Sequence, residues 1–216
     1  MKIICNSNSF IVCRKPAGVL SQEGSGKNMP SLLREEPGCS EIYPVHRLDT
    51  AASGLMVFAK SKSAAAALSS QMSGGEFIKE YMCVVHGVPE KTEGELTDLL
   101  FKDSAKNKSY VVKKERRGVK KARLIYKVFG TAETEKGVFS LIKVRLITGR
   151  THQIRVQFSS RKMPLCGDGK YGAKDSFNNL ALYSCRISFA VPETGEILNF
   201  ESAPPETEPW NYFNAL

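Results

Sequence analysis

One short stretch of the sequence places a carboxylate beside two cationic or ring side chains. His46, Arg47 and Asp49 fall within four positions, and residues 51–54 read Ala-Ala-Ser-Gly. An ionised carboxylate at Asp49 can act as a nucleophile. Arg47 offers a planar cation that can stack on a base or hold a phosphate. Because residues 51–54 are too small to cover Asp49, we predict a loop cleared for a flat ligand such as a base drawn out of its stack.

The same residues allow other interpretations. A kinase catalytic loop does not fit, since Leu48 separates Arg47 from Asp49 and no Gly-rich loop is present. A metal site built from His46, Asp49 and His152 lacks supporting His or Cys spacing, so we expect no metal. No Gly-x-Ser-x-Gly hydrolase elbow occurs. A structural role, in which Asp49 caps a turn and Arg47 pairs with a neighbouring acid, stays open.

A second cluster lies in the stretch TGRTHQIR, residues 148–155. Residues 148–149 predict a turn into a helix over 150–162, whose first turns carry Arg150, His152 and Arg155. Cations at a helix start oppose the helix dipole, so we expect a carboxylate or a ligand phosphate as their partner. The spacing places His152 and Arg155 on a face different from the apolar one, which leaves Arg155 pointing away from the core.

A third stretch, KEYMCVVHG, predicts a strand on which Lys79, Tyr81 and Cys83 face one way. Taken alone, Tyr81 is best interpreted as a core tyrosine with its hydroxyl at the rim.

The charge is concentrated in one segment. The chain has 31 Lys and Arg against 22 Asp and Glu, a net charge of +9, and residues 102–123 hold ten basic and two acidic residues, a net +8. This predicts a polyanionic partner and an arm of paired strands along a phosphate backbone. The contacts with backbone phosphates would come from Lys113, Lys114, Arg116 and Arg117. The alternative is a solvated surface hairpin.

The elements that must position these residues are mostly strands. Apolar and alternating runs predict six, and the alanine-rich stretch 62–72 predicts a helix ended by glycines. We therefore expect an α+β protein with a mostly antiparallel, mixed sheet in one domain, residues 1–216. With no signal peptide, no apolar run long enough for a bilayer and six scattered cysteines, we expect a cytoplasmic protein with reduced thiols. The predicted strands cover residues 9–16, 54–61, 80–87, 123–130, 138–147 and 181–191.

Together, these clusters resemble the RluA-like family of pseudouridine synthases. The matching stretches are RKPAGVL, HRLDTAASGLMVFAKS, IKEYMCVVHG, KKARLIYKV, LITGRTHQIRVQ and MPLCGDGKYG, in this order. The resemblance implies that Asp49 attacks the target uridine, that Arg47 helps to displace the base, that Tyr81 stacks on the uracil and is linked to the proton step, and that Arg155 pairs with Asp49. It also implies an RNA substrate, ribosomal or transfer, and no cofactor. The side chains expected to contact that RNA include His46, Lys79, Arg150 and His152.

The sequence departs from the family pattern at a few positions. Ala52 replaces a threonine, Gln157 a histidine, and Lys162 and Met163 a Gly-His pair. We expect these changes to affect local packing and RNA contacts more than the chemistry. Too few residues precede Arg14 for an S4-type RNA-binding domain, so we expect the catalytic domain, as a monomer, to bind the RNA. A non-catalytic RNA-binding protein on the same fold is the alternative function.

Overall fold

The structure is a computed structural model and describes residues 1–213. These residues divide into two compact units. The first unit contains Met1–Lys79 and Tyr183–Ala203, and the second contains Glu80–Leu182 and the chain from Pro204 onward. No helix among the described residues is both long and apolar enough to cross a bilayer.

Strands outnumber helices along the described chain. The strands are β1 (Lys2–Asn6), β2 (Phe10–Lys15), β3 (Tyr43–Pro44), β4 (Ser53–Ala59), β5 (Ile78–His86), β6 (Glu93–Asp103), β7 (Lys108–Val112), β8 (Val119–Thr134), β9 (Gly137–Leu146), β10 (Leu182–Ala190) and β11 (Ile197–Glu201). The helices are α1 (Met29–Leu33), α2 (Lys62–Gly74) and α3 (Gln153–Ser159), with short 3-10 turns at Gly169–Tyr171 and Trp210–Phe213.

In the first unit, the strand order is β1-β2-β4-β10-β11, and β3 adds to β4. The β4–β10 pair is parallel and the other pairs are antiparallel. Helix α2 is capped at its start by Ser61, whose hydroxyl accepts the Ala64 N–H, and at its end by Gly75, which has φ 81°. The Gln71 side chain exchanges two hydrogen bonds with the backbone of Ala190, which fixes α2 against β10.

In the second unit, the strand order is β5-β9-β8-β6-β7, and all pairs are antiparallel. Helix α3 covers one face of β8, where the rings of Tyr126 and Phe158 lie 5.9 Å apart. A small core of Leu100, Ala122, Val156 and Tyr171 continues beside it. The basic segment 102–123 forms the end of β6, all of β7, the connection 113–118 and the start of β8.

The fold class predicted from the sequence, α+β with a mixed and mostly antiparallel sheet, is confirmed. All six predicted strands are present, and the paired strands predicted for the segment 102–123 are formed by β7 and the end of β6. Strands β1, β3 and β11 and most of β6 were missed. The helix predicted over 150–162 is shorter and spans only Gln153–Ser159. None of the six cysteines, all within the described range, forms a disulfide. The single domain over 1–216 stays a prediction.

Candidate active site

In the first unit, the loop that carries Asp49 is held by the segment just after β2. The Ser21 hydroxyl donates to the Leu48 carbonyl at 2.7 Å and accepts the Leu48 N–H at 3.0 Å. The Gly18 N–H donates to the Thr50 carbonyl at 2.8 Å. The Ala52 N–H closes a turn onto the carbonyl of Asp49 at 3.0 Å. The backbone on both sides of Asp49 is therefore fixed before any ligand arrives.

Lys15, the last residue of β2, is a buried cation that contacts the loop carrying Asp49. Its side chain is 1% exposed, and its amine donates to the carbonyls of Pro16, Val19 and Thr50 at 2.7–3.1 Å. Burial lowers the pKa of Lys15 to about 8, and the nearby charge of Asp49 opposes that shift. Lys15 therefore places a positive charge close to Asp49, a role that the sequence did not reveal.

His46 is a neutral anchor of the same loop. The Val57 N–H donates to His46 Nε2 at 3.1 Å, so the ring proton lies on Nδ1. That nitrogen is shielded from solvent and has no hydrogen-bond partner within residues 1–213. Burial, with a smaller contribution from the charge of Lys79, lowers the pKa of His46 to about 3. The ring lies 5.7 Å from that of Phe77. These contacts orient the loop and keep the imidazole uncharged at neutral pH.

Two of the small residues after Asp49 do not clear space for a ligand, contrary to the sequence-based expectation. Ala52 is buried. Gly54 has φ 113°, and a Cβ there would lie 2.4 Å from the carbonyl oxygen of Ser184 on β10. Glycine is required because the two strands approach closely. Of residues 51–54, only Ala51 is exposed.

The first unit also carries Arg47 and Lys79. Arg47 is exposed to solvent, which suits a side chain that contacts RNA. Lys79 is half-buried, and burial lowers its pKa.

In the second unit, Arg155 lies on α3 and forms a buried, bidentate ion pair with Asp168. Its Nε donates to Oδ2 and its Nη2 to Oδ1, both at 2.7 Å. The two residues are 6% and 2% exposed. The expectation that Arg155 points away from the core is therefore wrong. A carboxylate partner was expected for the cations at the start of this helix, and Asp168 is such a partner. The sequence alone did not identify Asp168 as the residue that pairs with Arg155.

Tyr171 connects this ion pair to its surroundings. The guanidinium of Arg155 lies over the Tyr171 ring at 5.0 Å, and the Lys108 amine lies at 5.1 Å. The tyrosine hydroxyl accepts the Ser109 N–H at 2.8 Å and is hydrogen-bonded to His152 Nδ1 at 2.9 Å. His152, predicted to contact substrate, is a buried residue that helps to hold Tyr171.

The turn before α3 explains the late start of that helix. His152 has φ 54°, in the left-handed region, so a regular helix cannot run through it. The Gln153 side chain folds back and accepts hydrogen bonds from the Thr148 hydroxyl and the Arg150 N–H. Arg150 is exposed, and its Nε donates to the Lys121 carbonyl.

Tyr81 is 5% exposed on β5, opposite Val144 of β9. This burial is the one expected of a core tyrosine. Its predicted roles in stacking and proton transfer stay predictions.

The remaining predicted contacts lie in the exposed connection between β7 and β8. Lys113, Lys114, Arg116 and Arg117 all face solvent there. The guanidinium of Arg116 lies 4.7 Å from the centre of the Phe101 ring. The predicted residues thus fall into two sets, one in each unit, and the pairing of Arg155 with Asp49 stays a prediction.

Within residues 1–213, one trio brings potential metal ligands within 4.8 Å of one another: His86, Cys166 and Asp175. It includes none of the predicted site residues. His86 Nε2 and Asp175 Oδ2 are 2.5 Å apart, a direct hydrogen bond. Two ligands of a tetrahedral zinc ion would stand about 3.3 Å apart. The trio is therefore arranged as a hydrogen-bonded histidine and carboxylate beside a buried thiol.

Comparison with known proteins places the chain in a family. A family model described as RNA pseudouridylate synthase matches residues 9–160. The chain belongs to the RNA pseudouridine synthase family. This synthase is 34% identical to the dual-specificity RNA pseudouridine synthase RluA of Pasteurella multocida, over 95% of this chain and 93% of that one. It is 33% identical to the RNA pseudouridine synthase YlyB of Bacillus subtilis, over 95% and 70%.

Among solved structures, the human RNA pseudouridylate synthase domain containing 1 has the same fold as this synthase. It aligns with a TM-score of 0.80 at 20% identity, over 95% of this chain and 84% of that one. The RluA-like resemblance read from the motifs is confirmed, and the protein is an isomerase.

Proposed function

We propose that this synthase converts a uridine of a structured RNA to pseudouridine, with Asp49 as the nucleophile and the target base flipped out of its stack. In the net reaction the bond from C1′ to N1 breaks, a bond from C1′ to C5 forms, the proton on C5 leaves, and N1 gains one. Atoms and electrons balance without an oxidant, a reductant or an external group.

The observation that carries the assignment of Asp49 is its place in a clamped loop beside the buried amine of Lys15. A carboxylate must stay ionised to act as a nucleophile, and a nearby cation favours the ionised form. Hydrogen bonds to Leu48 and Thr50 hold the backbone on either side. The loop therefore presents Asp49 in a fixed position, which lowers the entropic cost of reaching a reactive geometry.

The proposal of base flipping is supported by side chains that can offset the free-energy cost of unstacking the base. Unstacking one base costs a few kcal/mol. Stacking on an aromatic ring offsets about 1 to 3 kcal/mol per base. We assign the displacing role to Arg47, which is exposed, and the stacking role to Tyr81.

The first RNA to test is large-subunit ribosomal RNA. A relative in Buchnera aphidicola is named ribosomal large subunit pseudouridine synthase C, and it is 28% identical over 99% of this chain. Transfer RNA is the second candidate.

The test compares Asp49→Asn with the wild-type protein on total RNA from cells that lack this gene. We expect RNA binding to be nearly unchanged and carbodiimide-detected pseudouridine to fall to the level seen without enzyme. Glu35→Gln, which likewise neutralises one carboxylate but lies at an exposed position of the first unit, should keep full activity. Retained modification by Asp49→Asn would refute the nucleophile, and no modification by wild-type protein would refute the substrate class.

A further inference from the structure

The second unit contains a basic cavity of about 190 Å³, where the end of β6 and the start of β8 meet the turn before α3. Its lining includes Lys102, Lys120 and Arg150, together with the hydroxyl-bearing residues Ser109 and Thr151. No carboxylate is part of the lining. The cavity therefore gathers three cations around a space that can hold a phosphate group.

These three cations are not neutralised by the protein. Within the described part of the chain, none of them forms an ion pair, whereas other arginines of the same unit do, such as Arg123 with Glu95 and Arg161 with Asp98. Lys120 lies opposite Leu100 in the β6–β8 register, two positions along β6 from Lys102. Like charges on one face repel, so an anion between them is stabilised.

The walls of the cavity are fixed by hydrogen bonds. Ser109 is 2% exposed, and its hydroxyl donates to the Thr151 carbonyl at 2.7 Å, which joins β7 to the turn. Arg150 Nε donates to the Lys121 carbonyl at 3.0 Å. Its terminal nitrogens make no hydrogen bond within residues 1–213. A guanidinium held in this way can donate to two phosphate oxygens at once.

The cavity is also tied to the surroundings of Arg155. The Ser109 N–H donates to the Tyr171 hydroxyl, and the Tyr171 ring lies under Arg155. A phosphate bound in the cavity is therefore held at a set distance from the buried ion pair.

We propose that Lys102, Lys120 and Arg150 bind a single backbone phosphate of the RNA substrate and set the register of the strand relative to Arg155. This inference rests on the proposed function, because the occupant is a phosphodiester of the RNA to be modified. The exposed lysines at the rim suit a chain that enters and leaves the cavity, and further cations of the segment 102–123 lie on either side.

The test measures RNA affinity as a function of KCl concentration, with a fluorescent stem-loop RNA that carries uridines in its loop. The pocket variant is Lys102→Gln/Lys120→Gln. Its matched control is Lys91→Gln/Lys127→Gln, which also removes two exposed lysine charges, neither of which lines the cavity. Each phosphate contact contributes about 0.7 to 0.9 to the slope of log affinity against log salt.

We expect the slope of the pocket variant to fall by about 0.7 to 0.9, the value for one phosphate, because both lysines serve the same phosphate. Lys91→Gln/Lys127→Gln should keep the wild-type slope. Arg150→Gln should lower the slope by the same amount. Arg150→Lys keeps the positive charge and should therefore keep the wild-type slope.

Three results would overturn the proposal. One is a slope for the pocket variant equal to that of wild-type protein. A second is a decrease of about 1.4 to 1.8, the value for two separate phosphates. The third is thermal stabilisation of wild-type protein, but not the pocket variant, by inorganic phosphate with RNA binding unchanged, which would assign the cavity to a free anion. Pseudouridine formation by wild-type protein is measured separately, so failure of the cavity and failure of the proposed reaction are distinguishable.

Discussion

Arg155 forms two hydrogen bonds with a buried carboxylate, that of Asp168. Both side chains are almost fully shielded from solvent, so water compensates little for the loss of this pair. Removing one member of a buried pair leaves an uncompensated charge in a medium of low dielectric. The ion pair with Asp168 therefore fixes the position of the Arg155 guanidinium and contributes to the free energy of unfolding of the protein.

We predict that Asp168→Asn lowers the free energy of unfolding by about 3 to 5 kcal/mol, because it replaces the buried carboxylate of a bidentate ion pair with a neutral amide. The measurement is the urea unfolding midpoint. Glu95→Gln, the same change in an exposed pair with Arg123, is the control and should shift the midpoint far less, since water screens that pair. Equal shifts for the two variants would contradict this account.

The neutral His46 ring makes stability depend on pH. Its pKa falls from an ordinary 6.5 to about 3 on folding, so the unfolded chain takes up a proton first as the pH decreases. The stabilisation is fully present above pH 6.5 and decreases below it, at up to about 1.4 kcal/mol per pH unit.

Comparing wild-type protein with His46→Gln tests this dependence, because the glutamine keeps an acceptor for the Val57 N–H and cannot be protonated. Between pH 6.5 and 5, we expect the unfolding free energy of the variant to fall less steeply than that of wild-type protein. Chemical denaturation at several pH values gives both slopes. Parallel slopes would mean that His46 is protonated in the folded state.

At the scale of elements, the end of α3 explains one departure from the family pattern. Lys162 has φ 62°, and its N–H donates to the Ser159 carbonyl while the Met163 N–H donates to that of Phe158. This pair of bonds closes a helix through a left-handed residue, where glycine is favoured. The glycine usual at this position is therefore explained by backbone geometry.

We predict that Lys162→Gly stabilises the protein by up to about 1 kcal/mol, because the left-handed strain of a side chain exceeds the added flexibility of glycine. Ser160→Gly is the control, since Ser160 has φ −63° and gains nothing from glycine. It should destabilise by about the same amount. Thermal unfolding of both variants measures the difference, and shifts of the same sign would refute the explanation.

The elements that the sequence predicts well are those whose signal is local. The apolar runs of β2, β4 and β9 and the glycine after α2 are read from neighbouring residues. Strand β6 was missed because most of its exposed positions are charged and because its pairing with β8 joins residues as far apart along the chain as Glu93 and Lys127.

In the candidate site, too, residues within local motifs were predicted and contacts between distant residues were not. Asp49, Tyr81 and Arg155 stand in motifs, so their types and order identify the family. Asp168 and Lys15 act through partners 13 and 35 residues away along the chain, at Arg155 and Thr50. No spacing within a motif specifies such contacts, and they become visible only when the chain is folded.

At the scale of the molecule, the charge is uneven. The net charge is +9, and the segment 102–123 alone carries a net +8. All of that segment belongs to the second unit, on β6, β7, β8 and their connections. An RNA that approaches this protein is therefore attracted mainly to the second unit, by forces that salt weakens.

Substitutions in the exposed connection between β7 and β8 test whether it binds phosphates. Replacing its four cations with glutamine should weaken RNA binding and reduce the slope of log affinity against log salt by about 0.7 to 0.9 for each phosphate that the variant no longer binds. The control is a variant with four exposed lysines replaced elsewhere, which removes the same total charge and should keep most of the slope. Equal decreases would mean that binding responds to net charge alone, and an unchanged slope in both variants would make the connection a solvated surface. The connection cations are Lys113, Lys114, Arg116 and Arg117, and the control lysines are Lys2, Lys27, Lys62 and Lys91.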